Sequence, residues 1–149
     1  RSDDANHMTG PARDGAGLRD AISGALAMAG VTPDAVAAVC AHGTGTVYND
    51  AMEMKALKDV LGPHRRPVFS IKGAVGHTLG AAGLLEALVS VQVARTRRVP
   101  PCVNLRDVDP EAAGWVTPCG GPLTAAGPVL STNAGFGGIN AALLVERGP

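Results

Sequence analysis

Three short apolar runs, each ending in a cluster of glycines, constrain this chain more than any other feature. "VAAVCA" leads into "HGTGT" at residues 42–46, "PVFSIK" into the turn at 73–80, and "VLSTNA" into the glycines at 135–138. Runs of this length, mixing β-branched with small residues, predict buried strands. Between them lie segments with helical spacing. At 15–29 the apolar positions Leu18, Ile22, Ala25, Leu26 and Ala29 share a face, with Gly30 as a stop. A second helix is predicted over 50–61, with Asp50 at its N-terminus and Gly62-Pro63 ending it. A third is predicted over 79–95. Strand alternating with helix implies an α/β fold, a largely parallel mixed sheet layered with helices. Residues 1–14 and most of 96–128 read as loop.

A chain of 149 residues is the size of one domain. It is 46% hydrophobic and 17% charged with zero formal net charge, which argues against disorder and against a nucleic-acid partner. Cys40, Cys102 and Cys119 are odd in number and unevenly spaced, so they predict no disulfide framework and point to a reducing, cytoplasmic setting. The longest apolar stretch, 79–94, is Gly-rich, carries Glu86 and is too short to span a bilayer. No signal-peptide pattern opens the chain, and Arg rather than Met at position 1 fits a processed or excised piece.

In open α/β sheets, ligands collect beyond the carboxyl ends of the strands. If the three strands are parallel neighbours, His42, His77 and Phe136 share one rim. Glycines there let a ligand approach the main chain, whose free amides can face developing negative charge. Either histidine alone could be an ordinary polar residue; two in corresponding glycine turns favour function. "GHTLGAAG" lacks the spacing of a dinucleotide fingerprint and the lysine of a P-loop.

Glu86 sits in a helix apolar nearly all round, so its carboxylate requires a partner. Lys72, closing the preceding strand, is the nearest cation in sequence. The competing reading has Glu86 facing a solvent gap and Lys72 on the surface. The cysteines lack an evident base and read as structural. A zinc site from Cys40, His42, His77 and Glu86 is conceivable but matches no established spacing, and no metal is expected. Arg65, Arg66, Arg95, Arg97 and Arg98 read as solvated helix ends, or more sharply as a docking patch for an acidic carrier.

"AHGTGTVYNDAMEMKAL", "SIKGAVGHTLGAAGLLEAL" and "STNAGFGGINAALLV" resemble, in order, three signatures of the C-terminal half of β-ketoacyl-acyl carrier protein synthases. The opening "SDDANHMTGPARDGAGLRDAI" and the loop "PPCVNLRDVDP" are similar to that family's intervening segments, so the resemblance covers essentially the whole chain. It implies a thiolase-like fold of two related halves and a decarboxylative Claisen condensation. In that reaction a cysteine takes an acyl chain from the carrier's phosphopantetheine arm, and malonyl-carrier loses CO₂ to give the attacking enolate.

The resemblance also implies site residues. His42 and His77 would hydrogen-bond the malonyl thioester carbonyl, with Lys72 and Glu86 as the active-site lysine and buried glutamate. Thr44 and Thr46 would contact the pantetheine arm, with Thr9 counted among the substrate-binding residues. Phe136 would be the aromatic gate, its N–H an oxyanion donor. No permanently bound cofactor is implied. The implied partners are the N-terminal half bearing the nucleophilic cysteine, the acyl carrier protein and a ketosynthase-type homo- or heterodimer, with no membrane or nucleic acid.

The sequence departs from the commoner pattern at Ala134, where a second Phe often stands, and "VYND" is closer to discrete than to modular synthases. Retention of both histidines and the lysine argues against a non-catalytic chain-length-factor subunit, which remains the alternative. A metal-binding module and a nonspecific α/β domain are the further rivals, the latter disfavoured by three ordered motifs.

Overall fold

The computed structural model describes residues 1–3, 10 and 12–148. The helical spacing at 15–29 produces α1 (Ala16–Ala29), whose buried face is Leu18, Ala21, Ile22 and Leu26. Gly30 ends it in a left-handed conformation, with φ 65°, and the Gly30 and Val31 amides return to the carbonyls of Ala27 and Leu26. That pairing satisfies carbonyls the helix end would otherwise orphan.

β2 (Ala38–Cys40) lies next to the edge strand β3 in a sheet that has five strands among the described residues, ordered β1-β7-β6-β2-β3. It pairs in parallel with β3 (Val68–Phe69) and with β6 (Val129–Gly135). β6 turns through 136–138 into antiparallel β7 (Ile139–Val145), against which β1 (Ser2–Asp3) pairs antiparallel. The sheet is therefore mixed, and its three parallel neighbours are the three strands read from sequence. β4 (Arg98–Val99) and β5 (Gly121–Pro122) form a separate ribbon inside the predicted loop.

Strand parity divides the core. Val39 and Leu130 point toward α1 and α2 (Val47–Leu61), joining Leu18, Ile22, Leu57 and Leu61. Ala38, Cys40 and Val129 point the other way, joining Phe69 and Val93 under α4 (Ala82–Thr96). The sheet is thus covered by helices on both faces.

Four expectations are corrected. α2 begins at Val47, three residues before the predicted start, so Asp50 lies in its first turn and Thr46 precedes it. The predicted strand 67–72 is paired only at Val68–Phe69; Lys72 does not close it but opens a short helix, α3 (Lys72–Val75). The third helix is preceded by a 3₁₀ turn, Leu79–Ala81. Finally, α4 is not buried all round: Leu84, Leu88 and Val91, at helical spacing, are 65%, 57% and 40% exposed. A helix apolar on every side contains no signal saying which side this chain itself covers.

No helix among the described residues is long and apolar enough to cross a membrane. Leu57 is fully buried between α2, α1 and the sheet. Leu57→Ala should lower the unfolding free energy by about 2–5 kcal/mol, read by urea denaturation.

Candidate functional site

The parallel pairing of β3, β2 and β6 puts the turns that follow them side by side. His42 and Thr44 leave β2, His77 lies between β3 and α4, and Phe136 follows β6. His42, His77, Thr44, Thr46, Ala134 and Phe136 line one cleft. The rim predicted from sequence is therefore assembled, except that Thr9 lies outside the described residues.

The two imidazoles meet edge to face, with centroids 5.2 Å apart and planes at 82°. Lys72 Nζ donates to His42 Nδ1 at 3.1 Å, and the Leu79 amide donates to His77 Nδ1 at 3.2 Å. Each ring then accepts at Nδ1 and carries its proton on Nε2, an assignment that follows from the hydrogen-bond network. Two N–H donors are left for whatever occupies the cleft.

Lys72 is the hub beneath them. Its Nζ also donates to the His42 carbonyl and to Glu86 Oε1, so all three of its N–H bonds are used. Glu86 is 1% exposed, and its second oxygen accepts from Asn133 Nδ2 at 2.6 Å. The ion pair inferred from Glu86's apolar helix is present, and the solvent-gap alternative is excluded. Burial and the adjacent Lys72 charge, with a smaller contribution from His77, hold the His42 pKa down at about 3 against an ordinary 6.5. His42 is therefore neutral at physiological pH.

Gly43 follows with φ 44°, and a Cβ there would lie 2.6 Å from the Ser70 Cβ. Only glycine suits this left-handed, closely approached position. Ser70 Oγ donates to the Gly43 carbonyl at 2.9 Å. Thr44 and Thr46 share a hydrogen bond of 2.8 Å between their hydroxyls, and Phe136 is 72% exposed at the cleft edge.

Sequence reasoning missed two features. Arg13 stacks over Tyr48, 4.7 Å from its centroid, and both line the cleft; no local pattern announces that pairing. Glu53 is buried beneath the His42 turn, and the His42 and Gly43 amides each donate to it at 2.8 Å. Burial raises its pKa, while those amides and the Thr132 hydroxyl pull it back. A signal existed, because Glu53 stands four residues before Leu57 in the buried stripe of α2.

Cys40 and Cys102 behave as packing groups, whereas Cys119 is exposed. Burial, reinforced by Glu86, pushes the Cys40 thiol up to about 12, and burial raises Cys102 as well. Among the described residues no three His, Cys, Asp or Glu side chains are placed to hold a metal ion. Of the clustered arginines, Arg95 and Arg98 are exposed, while the other three lie against neighbouring backbone. Arg66 donates to the Asp34 carbonyl at 2.9 Å, Arg97 to that of Ala125, and the Arg65 guanidinium lies over Gly114.

The family model of the beta-ketoacyl synthase C-terminal domain matches residues 1–106. The chain belongs to this family. This synthase domain is 38% identical over 146 residues to 3-oxoacyl-[acyl-carrier-protein] synthase 2 of Synechocystis sp., covering 97% of the chain and 35% of that relative. It is 42% identical over 143 residues to a Streptomyces virginiae protein named as a polyketide beta-ketoacyl synthase 1, covering 95% and 34% respectively. It also superposes with a TM-score of 0.91 and 30% identity on a type II polyketide ketosynthase structure, titled as an acyl-carrier protein in complex with its ketosynthase bound to the hexaketide. That match covers 99% of this chain and 36% of the other. The synthase domain thus has the thiolase-like fold expected, and it spans about a third of the length of the relatives it matches.

Because His42 has a pKa of about 3 in the fold and 6.5 as an ordinary side chain, the unfolded chain takes up the proton first as pH falls. This group's contribution to stability is therefore present above pH 6.5 and is lost as pH falls from 6.5 toward about 3. In an NMR titration its ring carbons should show no inflection through the usual histidine range.

Proposed function

We propose that this chain is the C-terminal half of a discrete β-ketoacyl-acyl carrier protein synthase. It would catalyse decarboxylative Claisen condensation of malonyl-carrier with an acyl thioester, in polyketide or fatty-acid assembly. The carrying observation is the pair of touching imidazoles, each with Nδ1 occupied and Nε2–H free. Its relatives named 3-oxoacyl and polyketide synthases support the reaction class.

The chemistry fits that geometry. When the carboxylate–carbon bond of the malonyl group breaks, CO₂ leaves and the electron pair moves onto the thioester as an enolate. Its oxygen gains negative charge, which two fixed N–H donors stabilise without reorganising. One preorganised donor of this kind is worth about 2.7–4 kcal/mol. A neutral His42 donates through Nε2 and leaves Nδ1 for Lys72, a division that protonation would abolish. Lys72 and Glu86 hold the ring rather than touch substrate. Thr44 and Thr46 would meet the pantetheine arm and Phe136 would gate the acyl site, with Ala134 leaving that gate wider than a second Phe would; Thr9 is proposed with them.

The nucleophilic cysteine belongs to the N-terminal half, in the same protein or a companion chain. An acyl carrier protein delivers both substrates, no resident cofactor takes part, and the assembled enzyme is a ketosynthase-type homo- or heterodimer. A type II ketosynthase structure bound to its acyl-carrier protein supports the carrier as partner. Cys40, Cys102 and Cys119 are all free, which suits a cytoplasmic location.

With the cysteine-bearing half supplied, His77→Ala should slow malonyl-carrier decarboxylation by about 10²–10³-fold. Undiminished turnover would overturn the catalytic reading and leave that of a non-catalytic subunit.

A further inference from the structure

Asn133 and Thr132 are adjacent on β6 and point to opposite faces of the sheet. Each anchors a buried carboxylate. Asn133 holds Glu86 on the α4 face, and Thr132 Oγ1 donates to Glu53 Oε1 at 2.7 Å on the α2 face. The first carboxylate acts on His42 through Lys72. The second has no part in the reaction as set out above, yet it is 2% exposed and receives three donors.

These donors are the consecutive amides of His42 and Gly43 and the Thr132 hydroxyl. Glu53 Oε1 takes the His42 amide and the hydroxyl; Oε2 takes the Gly43 amide. Three converging donors require an acceptor at both oxygens, which a carboxylate is and a side-chain amide is not. The main chain of His42 is thereby gripped on both sides, its N–H by Glu53 and its C=O by Lys72. Lys72 alone fixes the ring to its own carbonyl, but it does not fix that peptide to the sheet. Glu53 does so, tying the turn to α2 and β6.

We infer that Glu53, seated by Thr132, is a positioning residue for His42, acting on its main chain from the face of the sheet opposite the Lys72–Glu86 pair. The inference rests on the reading of His42 as an enolate-stabilising donor. Its consequence is selective: decarboxylation depends on where the His42 ring stands, whereas transfer of the acyl chain to the cysteine of the other half does not use that donor pair.

The test uses the assembled synthase, with malonyl-carrier decarboxylation and acyl loading of the cysteine measured separately. Glu53→Gln is isosteric but presents an NH₂ to one of the two amides. It should lower kcat for decarboxylation by up to about 100-fold, the scale of a small misplacement of a reacting group. KM for malonyl-carrier and the loading rate should stay unchanged. Thr132→Val should show the same selective loss to a smaller degree, and Thr132→Ser, which keeps the hydroxyl, should restore the rate. Should Glu53→Gln fail to fold, the Thr132 pair decides. Wild-type decarboxylation in both Glu53→Gln and Thr132→Val would overturn the inference, as would equal losses of loading and decarboxylation, which mark a purely structural role. His77→Ala run alongside separates the two levels. If it leaves decarboxylation intact, the functional reading itself fails; if it alone abolishes decarboxylation, only the role of Glu53 falls.

Discussion

A carboxylate in the middle of an apolar helix needs a cation, and the pairing of Glu86 with Lys72 is the interaction on which the site's geometry depends. Both charges are almost completely removed from water. Deleting one member of such a pair strands the other, typically at a cost of about 3–5 kcal/mol. The pair is retained although an apolar couple would fill the same space. Nζ has two further bonds to make, and both go to His42. The same cation that neutralises Glu86 thus sets the tautomer of one imidazole and adds to the burial that keeps that ring uncharged.

The polypeptide route to this arrangement is short. β2 and β3 contribute three and two residues, and the chain leaves regular structure as soon as it reaches the rim. Brief strands are adequate because β2 is paired on both sides, while glycine at position 43 allows the chain to fold sharply under Ser70. Long, stiff elements stand behind: α1 and α2 on one face, α4 on the other. Rigid supports with irregular, glycine-rich ends suit a site whose donors must not move during reaction.

Much of this was legible in the sequence. The three runs ending in glycines fixed the parallel core and the shared rim, and Glu86 in its apolar helix announced an ion pair. Lys72 was expected at a strand end and instead opens α3, whose Gly73 packs so closely on the loop that a Cβ there would collide with the Val103 carbonyl oxygen. The early start of α2 was missed because Asp50 was read as its N-terminus, although Thr46 is also a favoured N-cap type; its hydroxyl pairs with Thr44 rather than with the helix. Glu53 was missed although the argument used for Glu86 applied to it equally. Its partners are main-chain amides, and amides leave no mark on a residue pattern. The exposed stripe on α4 was invisible for a related reason, since side chains alone do not say which neighbour covers them.

The adjacency of Thr132 and Asn133 has an evolutionary corollary. Successive side chains of a strand alternate sides, so deleting or inserting one residue upstream in β6 would hand each of the two sockets the wrong plug. Both acid groups would lose their seats in a single step, and no lone compensating substitution could return them. Seven paired positions with β7 hold the phase of that strand. Length changes in this segment are therefore tolerable only in twos or beyond its ends, which makes the parity of β6 as strict a requirement as the identity of either histidine.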